Sequence, residues 1–525
     1  MKKTYDFVII GSGFGGSVSA LRLAEKGYSV AVLEQGKRYQ TEDFPSTNWN
    51  LRKYFWAPLM RCFGILKITH LSDVLILSGT GVGGGSLGYA NTLLHPPEAF
   101  FNDPQWSGLG DWKEILSPHY AEAKRMLGAT LNERVTPADN VLEEVAQDLG
   151  CADTFRMQEV GVFFGEPEVT VPDPYFNGDG PERTGCRFCG GCMVGCQHNS
   201  KNTLDKNYLY LAEQQGAQVF PETRAVGIEP VAEGGYNIHT QRTTAWFRRR
   251  GPTFSARQLV LSGGTLGTLN LLLECKERGW LANLSSALGS RVRTNSETLT
   301  GATARKGDVD YSDGIAITSS IFPDDVTHIE PVRYPAGSDA MNFLTTVLTP
   351  MARPWLRPFK WLGTIFRHPI DFMRVTWPFG WASRTVILLV MQSLDNSIRV
   401  FRKRRWWWPF SRTLVSERED KRVKIPVTVP QAQPATRLLA DKMNGIPQSA
   451  INEVLINTGI TAHILGGCPI GDSPQTGVVD AQQRVYGYEG MYVADGSVVP
   501  ANLGVNPSLT ITAMTEHAMS HIPDR

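Results

Sequence analysis

Residues Asp6–Gly36 read DFVIIGSGFGGSVSALRLAEKGYSVAVLEQG, and this stretch decides the fold. An apolar run leads into a glycine-rich turn, then a helix-period segment, then a second apolar run ending at Glu34. That order predicts strand, turn, helix, strand. Gly11, Gly13 and Gly16 form G-x-G-x-x-G, with Phe14 and Gly15 opening the helix between them. Gly11 permits the tight turn, Gly13 leaves room for a pyrophosphate, and Gly16 lets helix and strand approach closely. The helix start offers unpaired N–H groups to phosphate. Val18, Leu21 and Ala24 recur at helical spacing, and Gly27 suits the position just past the helix end. Glu34 follows Gly16 by 18 residues, where an acid binds ribose hydroxyls and disfavours a 2′-phosphate. The motif predicts a dinucleotide fold and leaves NAD and FAD both open.

Bulk properties narrow the classes. The chain has 525 residues, 42% hydrophobic and 20% charged, with a formal net charge of +1. Such a length calls for more than one subdomain. Near-zero net charge gives no global field for nucleic acid. Only four residues precede the first strand-like run at Tyr5, which leaves no room for a signal peptide. No run of 18 clean apolar residues predicts a membrane span. The expected location is the cytoplasm, with peripheral contact on the inner face of the membrane as an option.

Three further stretches carry chemistry. Gly79–Asn91, GTGVGGGSLGYAN, holds Gly83, Gly84, Gly85 and Ser86, which bring backbone close to a flat ligand. TAHILGGCPIG contains His463, and GMYVADGSVVPANLGVNPSLTITAMTEHA contains Asp495, Asn506 and Pro507. The latter reads as strand, turn and a helix starting near Pro507. Asn506 follows His463 by 43 residues.

These pieces resemble the glucose–methanol–choline (GMC) oxidoreductases, in their cholesterol-oxidase-like branch. The resemblance rests on GSGFGGS, GVGGGSL, H-x-L-G-G-C, YVADGSVVP and GVNPSLTITA, supported by LVLSGGTLGTLNLL (259–272) and ALGSRVRTNSE (287–297). It covers most of one half of the chain and is much looser over 300–455. It implies FAD rather than NAD. It also implies an α/β fold in which a discontinuous Rossmann-like FAD domain (1–95, 180–300, 455–525) joins an α+β substrate domain (96–179, 301–454) built on an antiparallel sheet. The cofactor contacts expected from it are Gly11, Gly13, Phe14, Gly15, Gly16, Glu34, Gly83, Gly84, Gly85, Ser86, Asn91, Val226, Asp495, Asn506 and Pro507. His463 matches the family's active-site histidine and Asn506 its partner asparagine. Glu330, in THIEPVRYPAG, matches a glutamate that moves protons on a steroid skeleton. The implied activity is oxidation of a hydroxyl on a large apolar substrate, a sterol or long-chain alcohol. Oxygen, an electron-transfer protein or a quinone would serve as acceptor. A non-enzymatic lipid carrier on the same fold is the rival, and a proton acceptor beside the flavin argues against it.

Two stretches stand outside this scheme. CRFCGGCMVGC places Cys186, Cys189, Cys192 and Cys196 at C-x2-C-x2-C-x3-C, an iron–sulfur spacing. Gln197 follows where bacterial ferredoxins have proline. Three readings fit: a [4Fe–4S] cluster, tetrahedral zinc, or a metal-free loop of thiols or a disulfide shaping the flavin pocket. A cluster would make the enzyme a dehydrogenase with a protein or quinone acceptor. The second stretch, 345–411, interleaves Trp355, Trp361, Trp377, Trp381 and Trp406–Trp408 with arginines and lysines. Aromatic rings with cationic neighbours fit two readings, a substrate-domain core with a basic rim or a lid touching the membrane interface.

Overall fold

The structure, a computed structural model, describes residues 4–247, 249–405, 408–420 and 427–525. Strand β1 (Thr4–Ile10), helix α1 (Phe14–Glu25) and strand β2 (Val30–Leu33) follow the predicted order. β1 pairs in parallel with β2 on one side and with Arg250–Leu261 on the other, setting Ile9 opposite both Val32 and Val260. Gln218–Phe220 extends the sheet beyond β2, and Met491–Val493 pairs with the C-terminal half of Arg250–Leu261. The N-terminal half of that long strand carries an antiparallel meander, Thr223–Pro230 and Tyr236–Arg242. Parallel strands covered on both faces must be apolar throughout. Phe7, Val8, Ile9, Val30, Ala31 and Val32 are accordingly buried.

A second sheet is wholly antiparallel. Its order is Thr345–Val347, Gly445–Ala450, Thr298–Ala304, Thr385–Gln392, Thr327–Val332, Ser319–Asp324 and Arg156–Met157. A smaller sheet pairs Val74–Gly79 with Leu66–His70 and, in parallel, with Gly459–Thr461. Two stretches of the expected substrate half pack on the first core. Trp106, Trp112, Leu116 and Tyr120 join it, and helix Trp112–Leu127 lies against Ser508–Ser520 through Tyr120 Oη donating to Thr510 Oγ1 at 3.0 Å. Ile398 and Val400, in a hairpin strand, join the same core. Hydrophobic patterning within a segment states that it buries a face, not which sheet receives it.

The aromatic stretch divides. Trp381 is 1% exposed and packs in a core with Tyr54 and Tyr334, and Trp361 donates to Thr346 Oγ1 at 2.8 Å. Trp355 (65%) and Trp377 stay exposed, with Phe359, Phe366 and Ile370 on or beside helices Arg357–Arg367 and Pro369–Thr376. Trp406, Trp407 and the side chain of Trp408 lie outside the described residues. No described helix is long and apolar enough to cross a membrane.

The glycines of the first turn have separable roles. Gly11 has φ +103°, which favours glycine. A Cβ on Gly16 would sit 2.1 Å from the Gly11 carbonyl oxygen, whereas one on Gly13 would meet nothing within 4 Å. Gly16→Val should therefore force α1 off β1 and yield insoluble or unfolded chain by circular dichroism. Gly13→Val should fold with a wild-type circular dichroism spectrum, purify without FAD absorbance, and unfold like the wild-type apoprotein.

Candidate active site

One continuous cavity joins the three motifs. Its interior open to the centre of a water molecule is about 360 Å³. Gly13, Phe14, Gly15, Ser262–Gly267, Asp495, His463, Asn506 and Pro507 all line it. Leu299, Ile387, Leu389 and Val332 from the second sheet, and Met193, give it apolar wall as well. The cavity thus lies where the C-terminal ends of the parallel strands face the antiparallel sheet, the usual place for a ligand in such folds.

The glycine end is shaped for a flat, anionic ligand. Gly83 (φ +104°) and Gly84 turn the second glycine segment onto the first, so that a Cβ on Gly84 would fall 2.6 Å from Gly13 Cα. Ser12 Oγ accepts from Gly83 N at 3.2 Å, and Ser86 Oγ donates to Gly83 O at 2.7 Å. α1 has no side-chain cap, so its first N–H groups remain available beside the open space over Gly13. Asn91 is fully buried between the lining residues Ala90 and Thr92, with both side-chain polar atoms unpartnered. Buried amides are rarely left so without a ligand to satisfy them. Asp495 takes Ser497 N (2.8 Å), Ser497 Oγ and Thr268 Oγ1 as donors, which fixes the turn before Gly496–Val498. These features fit the FAD that the sequence implies.

Not every expected contact lines the cavity. Glu34 is committed to the turn itself: Oε2 accepts from Ser12 N (3.2 Å) and Ser12 Oγ (2.7 Å), and Oε1 from Gly36 N (2.7 Å). Its neighbour Gln35 lines the cavity instead. Gly11, Gly16, Gly83, Gly84 and Ser86 shape the backbone from behind it. Val226 sits at a register shift in the meander, away from the cavity lining.

His463 stands two residues past strand Gly459–Thr461. Its Nδ1 lies 2.6 Å from Glu297 Oε1. Glu297 is itself held by Thr461 Oγ1 (3.0 Å) and the peptide N–H of Ala462 (2.8 Å). Sequence reasoning quoted Glu297 as the end of a family segment but gave it no role. A carboxylate on Nδ1 fixes the tautomer and leaves Nε2 as the working nitrogen. Burial opposes the imidazolium, but Glu297 and then Glu330 outweigh it and hold His463 above its ordinary pKa.

Glu330 is fully buried on strand Thr327–Val332 and does not itself line the cavity. It reaches the site through Asn506, whose Nδ2 donates to Glu330 Oε2 at 3.3 Å. Burial drives the Glu330 carboxyl up to about 8, against the pull of His463 and Asn506. His328, two residues before it, is pushed down to about 3 by burial and stays neutral at pH 7, stacked on Phe322. Asn506 Oδ1 and Glu330 Oε1 remain buried without partners.

The four clustered cysteines line a second cavity of about 250 Å³ on the same measure. All eight cysteines of the chain are free thiols, so the disulfide reading does not hold. Among the described residues no three His, Cys, Asp or Glu side chains are arranged to hold a metal ion, so neither the zinc nor the iron–sulfur reading finds support. Gln197 lines this cavity and donates through Nε2 to Phe44 O at 2.6 Å, tying the loop's end to the body of the protein.

Known proteins agree with this geometry. Residues 6–46 match the FAD-binding domain model and residues 401–515 the GMC oxidoreductase model. A cholesterol oxidase of Acinetobacter baumannii is 49% identical over 99% of this chain and 94% of its own length. One of Mycobacterium tuberculosis is 50% identical over 100% and 92%. The solved pyridoxine 4-oxidase of Mesorbium loti shares the fold, with a TM-score of 0.64 at 14% identity over 98% of this chain and 99% of its own. An N-terminal dinucleotide turn, a C-terminal segment returning Asp495 and Asn506 to it, and near-full-length identity of this order lead to one conclusion: the chain belongs to the GMC oxidoreductase family and is an FAD-dependent oxidoreductase.

Proposed function

We propose that the protein oxidises the hydroxyl of a sterol, with a long-chain alcohol as the other member of its substrate class, and that dioxygen accepts the electrons. The observation that carries this reading is the cavity's two-part character. A carboxylate-oriented histidine lines the same cavity as the glycine-turn residues and the apolar side chains of the second sheet. When bound, FAD takes the hydride from the carbinol carbon. The apolar end holds the hydrocarbon skeleton and excludes water. His463 Nε2 receives the hydroxyl proton, and Glu297 stabilises the imidazolium that results. Asn506 keeps Glu330 in place with one Nδ2 proton, and its other Nδ2 proton is the donor to the substrate oxygen. Glu330, as the carboxylate, moves a proton on the steroid skeleton after oxidation.

His463→Ala should lower kcat with a sterol by about 10²–10⁴-fold, the span of a lost general base. Peroxide release coupled to substrate measures it, and wild-type-like turnover would defeat the assignment. Neutral imidazole is the competent form, so kcat/KM should rise with pH through an inflection above 6.5. Glu297 stabilises the protonated form. Glu297→Gln should therefore move that inflection to lower pH and cut kcat roughly 10–100-fold. A shift to higher pH would reverse the reading.

Glu330→Gln should leave hydroxyl oxidation largely intact and abolish migration of the ring double bond. The isomerised fraction in the native protein should rise with pH through about 8, where the carboxylate forms. Product analysis by chromatography separates the two ketones. Undiminished isomerisation in the variant would exclude Glu330 as the base.

The exposed aromatic helices supply a route for an insoluble substrate. Phe359, Phe366 (82% exposed), Ile370 and Met373 stand beside Lys360, Arg367 and Arg374, a pairing suited to an anionic lipid surface. Asn342 Nδ2 donates to Val375 O, linking helix Pro369–Thr376 to the turn that carries Met341, a lining residue of the cavity. Phe366→Ser should weaken binding to phosphatidylserine-containing vesicles about tenfold, given roughly 1.5–3 kcal/mol for one buried phenyl ring. Activity on detergent-dispersed sterol should not change. Equal vesicle binding by both proteins would place the lipid contact elsewhere.

A further inference from the structure

His328 takes no part in the chemistry above, yet it is built against Glu330. The two residues sit two apart on strand Thr327–Val332, so their side chains leave it on one face. Both are buried, at 1% and 0% exposure. His328 Nε2 stands 3.9 Å from Glu330 Oε1, which is longer than a hydrogen bond. Glu330 Oε1 has no other hydrogen-bond partner. Neither ring nitrogen of His328 makes a well-formed hydrogen bond, although the Gly504 carbonyl lies beside the ring. A phenylalanine would fill the same space without leaving polar atoms unsatisfied.

The ring is held in place for this contact. It stacks on Phe322 with centroids 4.4 Å apart and planes 14° from parallel. The guanidinium of Arg156, on the adjoining strand Arg156–Met157, lies 4.5 Å from the centre of the same phenyl ring. Burial, and then the charges of Arg156 and His463, disfavour an imidazolium, so His328 stays neutral. A neutral imidazole has one N–H donor and one acceptor. With its proton on Nε2, the donor is directed at Oε1. Asn506 already donates to the other oxygen, Oε2, at 3.3 Å. Asn506 lines the flavin cavity and His328 does not. The terminal torsion of a glutamate is broad, so a small turn of the carboxyl closes the gap to Nε2.

We infer that His328 is a positioning residue for the proton shuttle: its Nε2–H holds Glu330 Oε1, leaving Oε2 as the oxygen that takes and returns the substrate's proton. The inference rests on the role given to Glu330 above. The step balances within the site. One ring C–H bond breaks and an O–H bond forms at Oε2. The same proton then passes to a second ring carbon as the double bond moves, with no net oxidation. A donor on Oε1 also favours the carboxylate against the burial that raises the Glu330 pKa. The other groups acting on Glu330 are His463, Asn506, Glu297 and Arg156.

Two variants of the full-length holoenzyme test this. His328→Phe keeps a ring to stack on Phe322 and deletes the donor, and His328→Gln restores an N–H. The first readout needs no turnover. An infrared carboxylic-acid band present in the native protein and absent from Glu330→Gln should fade as pH rises through about 8. In His328→Phe that titration should move up by about one pH unit, tenfold in proton affinity. In His328→Gln it should return close to the native position. With cholesterol as substrate, the ratio of isomerised to unisomerised ketone near pH 8 should fall about five- to tenfold in His328→Phe and recover in His328→Gln. An unmoved or lowered titration in His328→Phe, or one that stays raised in His328→Gln, would overturn the assignment. If the native protein oxidises cholesterol but moves no double bond, the role of Glu330 falls, while the infrared titration still decides whether His328 holds it.

Discussion

The structure depends on a backbone crossing that no side chain can enter. Gly11, Ser262 and Ala494 come from the start, the middle and the end of the chain and meet at the C-terminal ends of three parallel strands. Ser262 N donates to Ile10 O at 2.8 Å, Ala494 N to Leu261 O at 2.8 Å, and Ser262 Oγ to Ala494 O at 2.7 Å. A Cβ on Gly11 would fall 2.1 Å from Ser262 O, and one on Gly15 would fall 1.7 Å from Ala494 O. Peptide groups here satisfy one another because nothing else fits between them. The same closeness presents the start of α1, the Gly263–Gly264 turn and Asp495 to one cavity. Closing the sheet and assembling the cofactor end are therefore one event.

The second constraint is electrostatic. Two carboxyl groups, Glu297 and Glu330, are buried near His463. Low dielectric separates their behaviour by partner rather than by residue type. Glu297 has an imidazole at 2.6 Å and hydrogen-bond donors at both oxygens. Glu330 has one long hydrogen bond and an unpartnered oxygen, so burial dominates and its pKa rises to about 8. Two glutamates in one region thus differ in state, one in contact with His463 and one with its carboxyl raised to about 8.

Polar burial also joins the flavin loop to the cysteine loop. Arg183 donates to Asn199 O (3.0 Å) and Lys201 O (2.7 Å), while Lys201 spends its three N–H groups on carbonyls from two segments. Buried cations fully occupied by carbonyl acceptors hold loops in one register. The cysteine loop is thereby rigid relative to the flavin cavity, and Met193 is fixed between them.

The sequence by itself determined the parts whose chemistry is local. A glycine turn between an apolar strand and an amphipathic helix has one good use, and Gly11, Gly13 and Gly16 show it without tertiary help. His463, Asn506 and the four clustered cysteines were legible as candidates because each sits in a short stretch with its own pattern. Tertiary structure alone decided what depends on facing and register. It turned Glu34 into the turn, set Glu330 behind Asn506, buried Trp381, and folded Trp106–Tyr120 onto the first core. It also brought Glu297, just before strand Thr298–Ala304, to His463, just past strand Gly459–Thr461 of another sheet. A side chain's partner in a sheet is set by strands far apart in the chain, and hydrophobic periodicity records only that one face is buried, not what it meets.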